Sequence, residues 1–277
     1  MTLYIGIAIF VLAIVALIYV YLICPRRTAP ADMELLSCDY AHRGLHTSKI
    51  PENSMSAFEY AARQGVGMEL DIQPTKDGHV VVFHDADLSR MCGVKGRVCD
   101  MTLSELRELR LKDTGEVIPT LSEVLRLVRG RVPLLIEIKG ELPDERFCQR
   151  TVALLDSYRG AFCIESFSPL ILSWFKKHRP SFARGQLVGG LLPPGRKWRY
   201  TMSFLLSNML LNFISRPDFI AIHSKKKRNL SLLICARAFS TPVFIWTVRT
   251  PQERAAFRRL GYFSIFEKFL PKENNDK

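Results

Sequence analysis

Two stretches concentrate the side chains able to do chemistry. The first, "AHRGLHTSKIPENSMSAF", runs from Ala41 to Phe58, placing His42-Arg43-Gly44 at the end of an apolar run and Glu52-Asn53 before a helix. The second, "MELDIQPTKDGHVVVFHD", starts at Met68 and carries Glu69, Asp71 and His84. Asp77-Gly78 between two apolar runs signals a hairpin. With those two residues as the turn, Lys76 pairs with His79 and Asp71 lies opposite His84. Glu69 and Asp71 are two apart, so they share one face of their strand. The hairpin would gather Glu69, Asp71 and His84 into one patch. Adjacent carboxylates repel unless protonated or bound to a cation. Hard oxygen donors of this kind suit Mg²⁺ or Ca²⁺. Farther on, "PLLIEIKG" adds Glu137 and Lys139 on one face of an otherwise apolar strand. A charged pair there is costly unless something compensates it. A structural Glu137–Lys139 ion pair would do so, and so would membership of one cluster with His42, Glu69, Asp71 and His84.

Such a cluster needs elements that converge. β-rich runs at 39–43, 67–73, 79–84, 133–139, 161–167, 184–190, 218–223, 242–248 and 263–267 alternate with helical segments at 54–64, 102–110, 120–129, 144–157, 168–178, 229–238 and 250–260. The alternation predicts an α/β fold with a parallel sheet, and a closed (β/α)8 TIM-type barrel fits the length. An open doubly wound sheet is the competing architecture. The runs exceed eight by one, so one strand is expected outside the barrel. In a barrel the C-terminal strand ends meet at one mouth, which would bring the charged residues together. Thr102 with Glu105, and Thr120 with Glu123, spell capping boxes. The segment 86–118 is long for a strand-helix loop and reads as a small insertion.

Thr2 to Pro25 contains no charged side chain and is long enough to cross a bilayer as one helix. A cleaved signal peptide is the main rival, but no basic stretch precedes the run and no small-x-small cleavage site follows. The expected organisation is a transmembrane anchor at 1–25, a tether at 26–38 and a barrel domain at 39–277. Arg26-Arg27 after the span favours a cytoplasmic position for that domain. Seven cysteines form no CxxC pair and read as reduced thiols. From Lys139 onward lie 24 of the 39 Lys and Arg but only 10 of the 27 Asp and Glu. A basic half on a membrane-anchored chain points to an anionic bilayer surface or a phosphorylated substrate. Nucleic acid is not expected, because the basic clusters are short and dispersed and no nucleic-acid module accompanies them. In the apolar segment 191–217, Met202, Leu205, Leu206, Met209, Leu210 and Phe213 recur at helical spacing behind Arg196, Lys197 and Arg199. That segment is expected to form a membrane-facing rim.

The chain resembles the glycerophosphodiester phosphodiesterases. The residues that carry the resemblance are "AHRG", "PENSMSAF", "MELDIQPTKDGHVVVFHD", "LSR", "GRVCDMTLSEL", "IPTLSEVL", "LLIEIKG", "ESFSP" and "WTV", in family order from His42 to Val248. The resemblance implies an eightfold barrel with its small insertion near 86–118. It implies that Glu69, Asp71 and Glu137 hold one divalent cation, that His42 and His84 are the acid-base pair, and that Arg43 and Lys139 contact phosphate. Trp246 would face glycerol. Glu52 would hold His42 or reach the metal, and Asn53 would anchor the loop, cap the helix, or both. The implied reaction is metal-dependent hydrolysis of glycerophosphodiesters or lysophospholipids to an alcohol and glycerol 3-phosphate or a lysophosphatidate. A phospholipase of the phosphatidylinositol-specific type and an inactive membrane scaffold are the alternatives. The chain departs from the family at Arg249, where a small amide is usual, and at "SIFEKFLP", where a Thr-Asp pair usually ends the last strand. Glu165 stands where a small or amide residue is usual. It is expected to pair with a basic neighbour, with a fourth metal ligand as the alternative. His223 ends a strand, either touching phosphate or serving as a satisfied structural histidine.

Overall fold

Runs of Val, Ile, Leu and Phe buried on both faces make the strands of a parallel sheet. The strands are β1 (Tyr40–Ala41), β2 (Gly67–Pro74), β3 (Val80–Val82), β4 (Leu134–Ile138), β5 (Phe162–Ser166), β6 (Arg184–Val188), β7 (Phe219–His223), β8 (Val243–Val248) and β9 (Phe263–Phe266). These come from a computed structural model that describes residues 1–26, 30, 33–189 and 198–271. Eight of them pair in the order β1-β9-β8-β7-β6-β5-β4-β2, all parallel, and β1 closes the ring on β2. The extra strand is β3, which lies antiparallel on β2 outside the ring.

Alternation along each strand sorts the core into two layers. Tyr40, Leu135, Cys163, Leu187, Ala221 and Phe244 fill the barrel interior. Met68, Leu70, Ile72, Ile136, Ile220 and Ile222 pack outward among the helices. Gly185 is paired in register with Phe219, and a Cβ added to Gly185 would come within 1.9 Å of the Phe219 ring. The missing side chain is the space that ring occupies. Below the strands, within the stretch read as a tether, the helix Met33–Leu36 buries Met33 and Leu36 against the interior layer. The Tyr40 hydroxyl donates to the Leu36 carbonyl at 2.7 Å, fixing that plug.

The hairpin register differs by one residue from the expected one. Pro74 pairs with Val80, and Thr75 N–H bonds the His79 carbonyl at 2.9 Å, so the loop is Lys76-Asp77-Gly78. Gly78 takes the left-handed conformation, φ 81°, that a three-residue loop requires. Thr75 selects this loop, because its hydroxyl accepts from the His79 N–H and donates to Asp77. Asp77 in turn accepts from the N–H of Leu103, where the next helix starts. The pairing of Asp71 follows from this slip: the Phe83 N–H donates to the Asp71 carbonyl, so Phe83, not His84, lies opposite Asp71.

The insertion at 86–118 is real and has its own small core of Phe83, Leu88, Met91, Val98, Leu106 and Ile118. Both capping boxes form, on the helices Leu103–Arg107 and Leu121–Val128. The apolar N-terminal segment is one helix, Thr2–Ile23, with mean hydropathy 2.9. Its final turn docks on the flank of the barrel. Tyr19 Oη bonds Ser231 Oγ at 2.7 Å, and the Ile23 carbonyl accepts from Asn212 Nδ2 at 3.2 Å and Cys235 Sγ at 3.4 Å.

The membrane-rim expectation needs correction. Arg196 and Lys197 lie outside the described residues. Met209 is 1% exposed and belongs to the core, and Leu205, Leu206, Leu210 and Phe213 are half-buried. The apolar stripe first satisfies the barrel, which is the nearest apolar surface. Of the expected stripe only Met202 is left in solvent, and the other exposed large apolar side chains there are Trp198, Tyr200 and Phe204.

Candidate active site

The acids of the site follow from strand register. Asp71 on β2 is the register partner of Glu137 on β4, which is the partner of Glu165 on β5. Three inward carboxyl groups therefore stand side by side, and Glu69 lies on the Asp71 face two residues earlier. All four are buried. Glu69, Asp71 and Glu137 each offer an oxygen, and these oxygens lie within 4.8 Å of one another. Lys139 Nζ reaches Asp71 Oδ1 at 2.6 Å and Glu137 Oε1 at 2.7 Å. The simple Glu137–Lys139 pair is thus one edge of a larger cluster.

Charge crowding sets the protonation of this cluster. Burial, then the charges of Asp71 and Glu137, push Glu69 well above the usual carboxylate range. Burial also raises Glu137 to about 7, against the pull of Lys139. Burial works against an ionised Asp71 too, yet Lys139, His84 and Arg43 outweigh it and hold that acid well below its ordinary value. Burial and the neighbouring Glu69 and Glu137 raise Glu165. One Glu165 oxygen, Oε2, is buried with no hydrogen-bond partner, and no ion pair to a basic side chain forms among the described residues. The expected basic partner for Glu165 is therefore absent there: its register neighbours are Glu137 and Gly185. A buried set of hard oxygens that cannot all ionise beside one another fits a divalent cation, which would let them do so.

The β1 loop supplies a second layer of contacts. Arg43 and Asn53 both adopt left-handed backbone conformations, φ 55° and 54°. Such conformations cost energy in non-glycine residues and concentrate at functional sites. Here they aim the Arg43 N–H at Glu69 Oε2, 2.8 Å away, and Asn53 Nδ2 at Asp71 Oδ2, also 2.8 Å. The helix Met55–Arg63 is capped by Ser54, not by Asn53, so Asn53 is free to hold the acid. Glu52 does not hold His42. It accepts from Arg43 Nη1 at 2.6 Å and from both terminal nitrogens of Arg90, which fixes the Arg43 guanidinium 3.6 Å from Asp71.

Each histidine is held by an acid that sequence reasoning did not select. His42 Nδ1 lies 3.0 Å from Glu267 Oε2, and His84 Nδ1 lies 2.6 Å from Asp85 Oδ1. Burial pushes both imidazoles below their ordinary value, against the upward pull of the neighbouring acids, and each carboxylate is placed to accept from Nδ1. Glu267 also accepts from Arg249 Nε at 2.7 Å. The two departures at the end of the barrel are thus one unit: the acid that closes β9 and the arginine that closes β8 form a chain to His42. His46 Nε2 stands 3.9 Å from the same Glu267 oxygen. The available signals were an acid directly after His84 and another at the last inward strand end.

These groups open on one cleft of about 410 Å³ at the mouth, lined by His42, Glu69, His84, Glu137, Trp246 and Glu267 among others. Trp246 forms an aromatic wall there, edge-on to Phe167 at 5.8 Å and to His223 at 4.9 Å. His223 Nδ1 accepts from the Lys225 N–H, so one of its nitrogens is satisfied while the ring lines the same cleft.

Residues 42–269 match the glycerophosphoryl diester phosphodiesterase family. The chain belongs to this family. It is similar to the glycerophosphodiester phosphodiesterase of Caldanaerobacter subterraneus subsp. tengcongensis, 45% identical over 237 residues that cover 81% of this chain and 91% of the relative. Among solved structures, it is similar to a glycerophosphodiester phosphodiesterase from Thermotoga maritima, with 27% identity, a TM-score of 0.63 and coverage of 82% and 92%. It also shares its fold with an Oleispira antarctica phosphodiesterase in complex with the product sn-glycerol-3-phosphate, at 24% identity, TM-score 0.67 and coverage of 83% and 92%. The chain is a phosphoric diester hydrolase of the glycerophosphodiester phosphodiesterase type. Its family generally depends on a divalent metal, and its buried acids are groups that could bind one.

Proposed function

We propose that this chain hydrolyses glycerophosphodiesters and lysophospholipids with one divalent cation, Mg²⁺ or Ca²⁺, and with His42 and His84 as the acid-base pair. The observation that carries the reading is the convergence of Glu69, Asp71 and Glu137 within 4.8 Å beside two acid-oriented histidines. Glu69, Asp71 and Glu137 would hold the cation, and Glu165 adds a fourth carboxyl group at their side. When bound, the cation neutralises phosphate charge and polarises the phosphoryl group.

The protein's own residues do the rest. Arg43 and Lys139 offer positive charge to the phosphate oxygens. One histidine accepts a proton from water as a new bond forms between the water oxygen and phosphorus. The bond from phosphorus to the departing alcohol breaks, and the other histidine protonates that alcohol. The neutral tautomer leaves Nε2 as the acceptor on the histidine that acts as base, while the histidine that acts as acid enters the step as the imidazolium, whose charge the carboxylate at its Nδ1 offsets. Trp246 packs against the glycerol moiety. The Oleispira neighbour's glycerol 3-phosphate supports the same product class.

The test is hydrolysis of glycerophosphocholine and lysophosphatidylcholine by the full-length protein, after chelation and with metal added back. Turnover should vanish in chelator and return with Mg²⁺ or Ca²⁺, and Glu69→Gln should abolish the metal-dependent part while the fold survives. Full activity in excess chelator overturns the reading.

A further inference from the structure

We propose that the mouth of the barrel faces the bilayer, so that the site takes the phosphodiester of a single-chain phospholipid directly from the membrane surface. The proposal rests on the phosphodiesterase reading for its substrate and on independent geometry for its orientation. The N-terminal helix carries that geometry. Its last turn runs beside the helix Leu230–Ala238: Tyr19 meets Ser231, and Ile23 meets Cys235 four residues on. The two helices therefore descend the barrel flank in the same direction. Leu230–Ala238 starts just after the C-terminal end of β7, at the mouth. The end of the N-terminal helix lies at the opposite face. There Arg26 N–H bonds the Pro217 carbonyl, and its guanidinium bonds the Pro180 carbonyl and reaches Asp218, all just before β6 and β7 begin.

It follows that the helix leaves the domain on the mouth side. Every residue from Thr2 to Ile18 is exposed, and at roughly 1.5 Å per residue this stretch is about 25 Å long. That nearly matches the hydrocarbon core of a bilayer, about 30 Å. A discarded leader does not fit the docked turn. Arg216 Nη1 donates to the Tyr21 and Cys24 carbonyls and its guanidinium stacks 4.6 Å from the Tyr21 ring, while buried Asn212 and Cys235 bond Ile23. Losing the helix would strip buried polar groups of partners.

The rim beside the exit point is dressed for a membrane surface. Trp198, Tyr200 and Phe204 are 67%, 73% and 61% exposed. Their helix, Arg199–Ser207, ends against the mouth, where Lys226 and Asn229 bond Ser207. Lys225, Lys227 and Arg228, just past the end of β7, are exposed on the same rim. Aromatic rings at headgroup level and cations near lipid phosphates are the two features of an interfacial surface. A lipid with one acyl chain held in that leaflet would present its phosphate to the cleft walled by Trp246.

Brominated phospholipids test the orientation without any catalysis. Full-length protein in vesicles of phosphatidylcholine and phosphatidylglycerol should show tryptophan fluorescence quenched by bromines near the headgroup end of the acyl chains. Trp198→Phe should remove most of that quenching, leaving Trp174 and Trp246 to report the remainder. Unchanged quenching in Trp198→Phe would place this ring in water and overturn the proposal. A kinetic arm uses the triple variant Lys225→Glu, Lys227→Glu and Arg228→Glu in the same vesicles. Hydrolysis of lysophosphatidylcholine in the bilayer should fall at least about tenfold, while soluble glycerophosphocholine should change less than about twofold. Equal losses on both substrates would overturn the proposal. A wild-type protein that is quenched through Trp198 yet hydrolyses neither substrate would instead sink the phosphodiesterase reading and leave the orientation standing.

Discussion

His42 and Glu267 illustrate what the residue scale shows. The His42 imidazole is half-buried and its value is lowered by desolvation, and the Glu267 carboxylate is drawn down to about 2 by its hydrogen bond from His42, with Arg249 assisting. Removing either histidine removes an acid or base outright. His42→Ala and His84→Ala should each lower kcat at least about a hundredfold, the lower end for such a loss. Near wild-type turnover in either variant would make that histidine structural. Glu267→Gln keeps shape but weakens the orientation of His42, so kcat should fall by between about tenfold and a hundredfold, less than the loss of the ring itself. Glu267 also leaves a pH signature. Its folded value lies below the unfolded 4.5, so the unfolded chain binds more protons in the acid range. Its stabilisation is present above 4.5 and lost as pH falls toward 2. Melts of the wild type and Glu267→Gln should therefore converge across that window and stay apart above it. The residues in contiguous motifs, His42, Glu69, Asp71, His84, Glu137 and Lys139, could be read from sequence because their types and spacing already imply one face or one strand end. Glu267 could not, since its partner lies 225 residues away and only barrel closure joins them.

At the scale of elements, the strands were readable because burial on both faces writes long apolar runs, and all nine form close to their expected bounds. Register was harder. One threonine hydroxyl turned a two-residue hairpin loop into a three-residue one and moved His84 off the position opposite Asp71. The 191–217 segment shows a different limit: helical spacing reveals an apolar face but not which of two apolar surroundings claims it. Met209 went to the core, and the aromatic side chains around it went outward. Interior packing also sets a sharp constraint at β6. Gly185→Ala should cost about 3 kcal/mol or more, because the new methyl must displace the Phe219 ring inside a filled barrel. Denaturant titration checks this, and a change under about 1 kcal/mol would show that the interior can yield.

The whole molecule was legible as a barrel with an apolar leader helix, yet the relation between the two was not. Nothing in the sequence says that Arg26 reaches Asp218 or that Tyr19 meets Ser231, because those contacts depend on the finished ring. Closure of that ring has a consequence for how the chain is made. β1 is only Tyr40–Ala41, and it is flanked by β2 on one side and by β9 on the other. The seam between first and last strands is therefore completed by Phe263–Phe266, the last of the nine strands to be made. Until then the growing chain carries an open sheet whose free edges can pair with other chains. The apolar N-terminal helix, long enough to cross a bilayer, emerges well before that strand. A chain stopped before Phe263 should therefore fail to give a cooperative unfolding transition and should aggregate when released from the ribosome. A chain stopped after Pro271 should fold like the full protein, and the two are distinguished by protease resistance on stalled ribosomes.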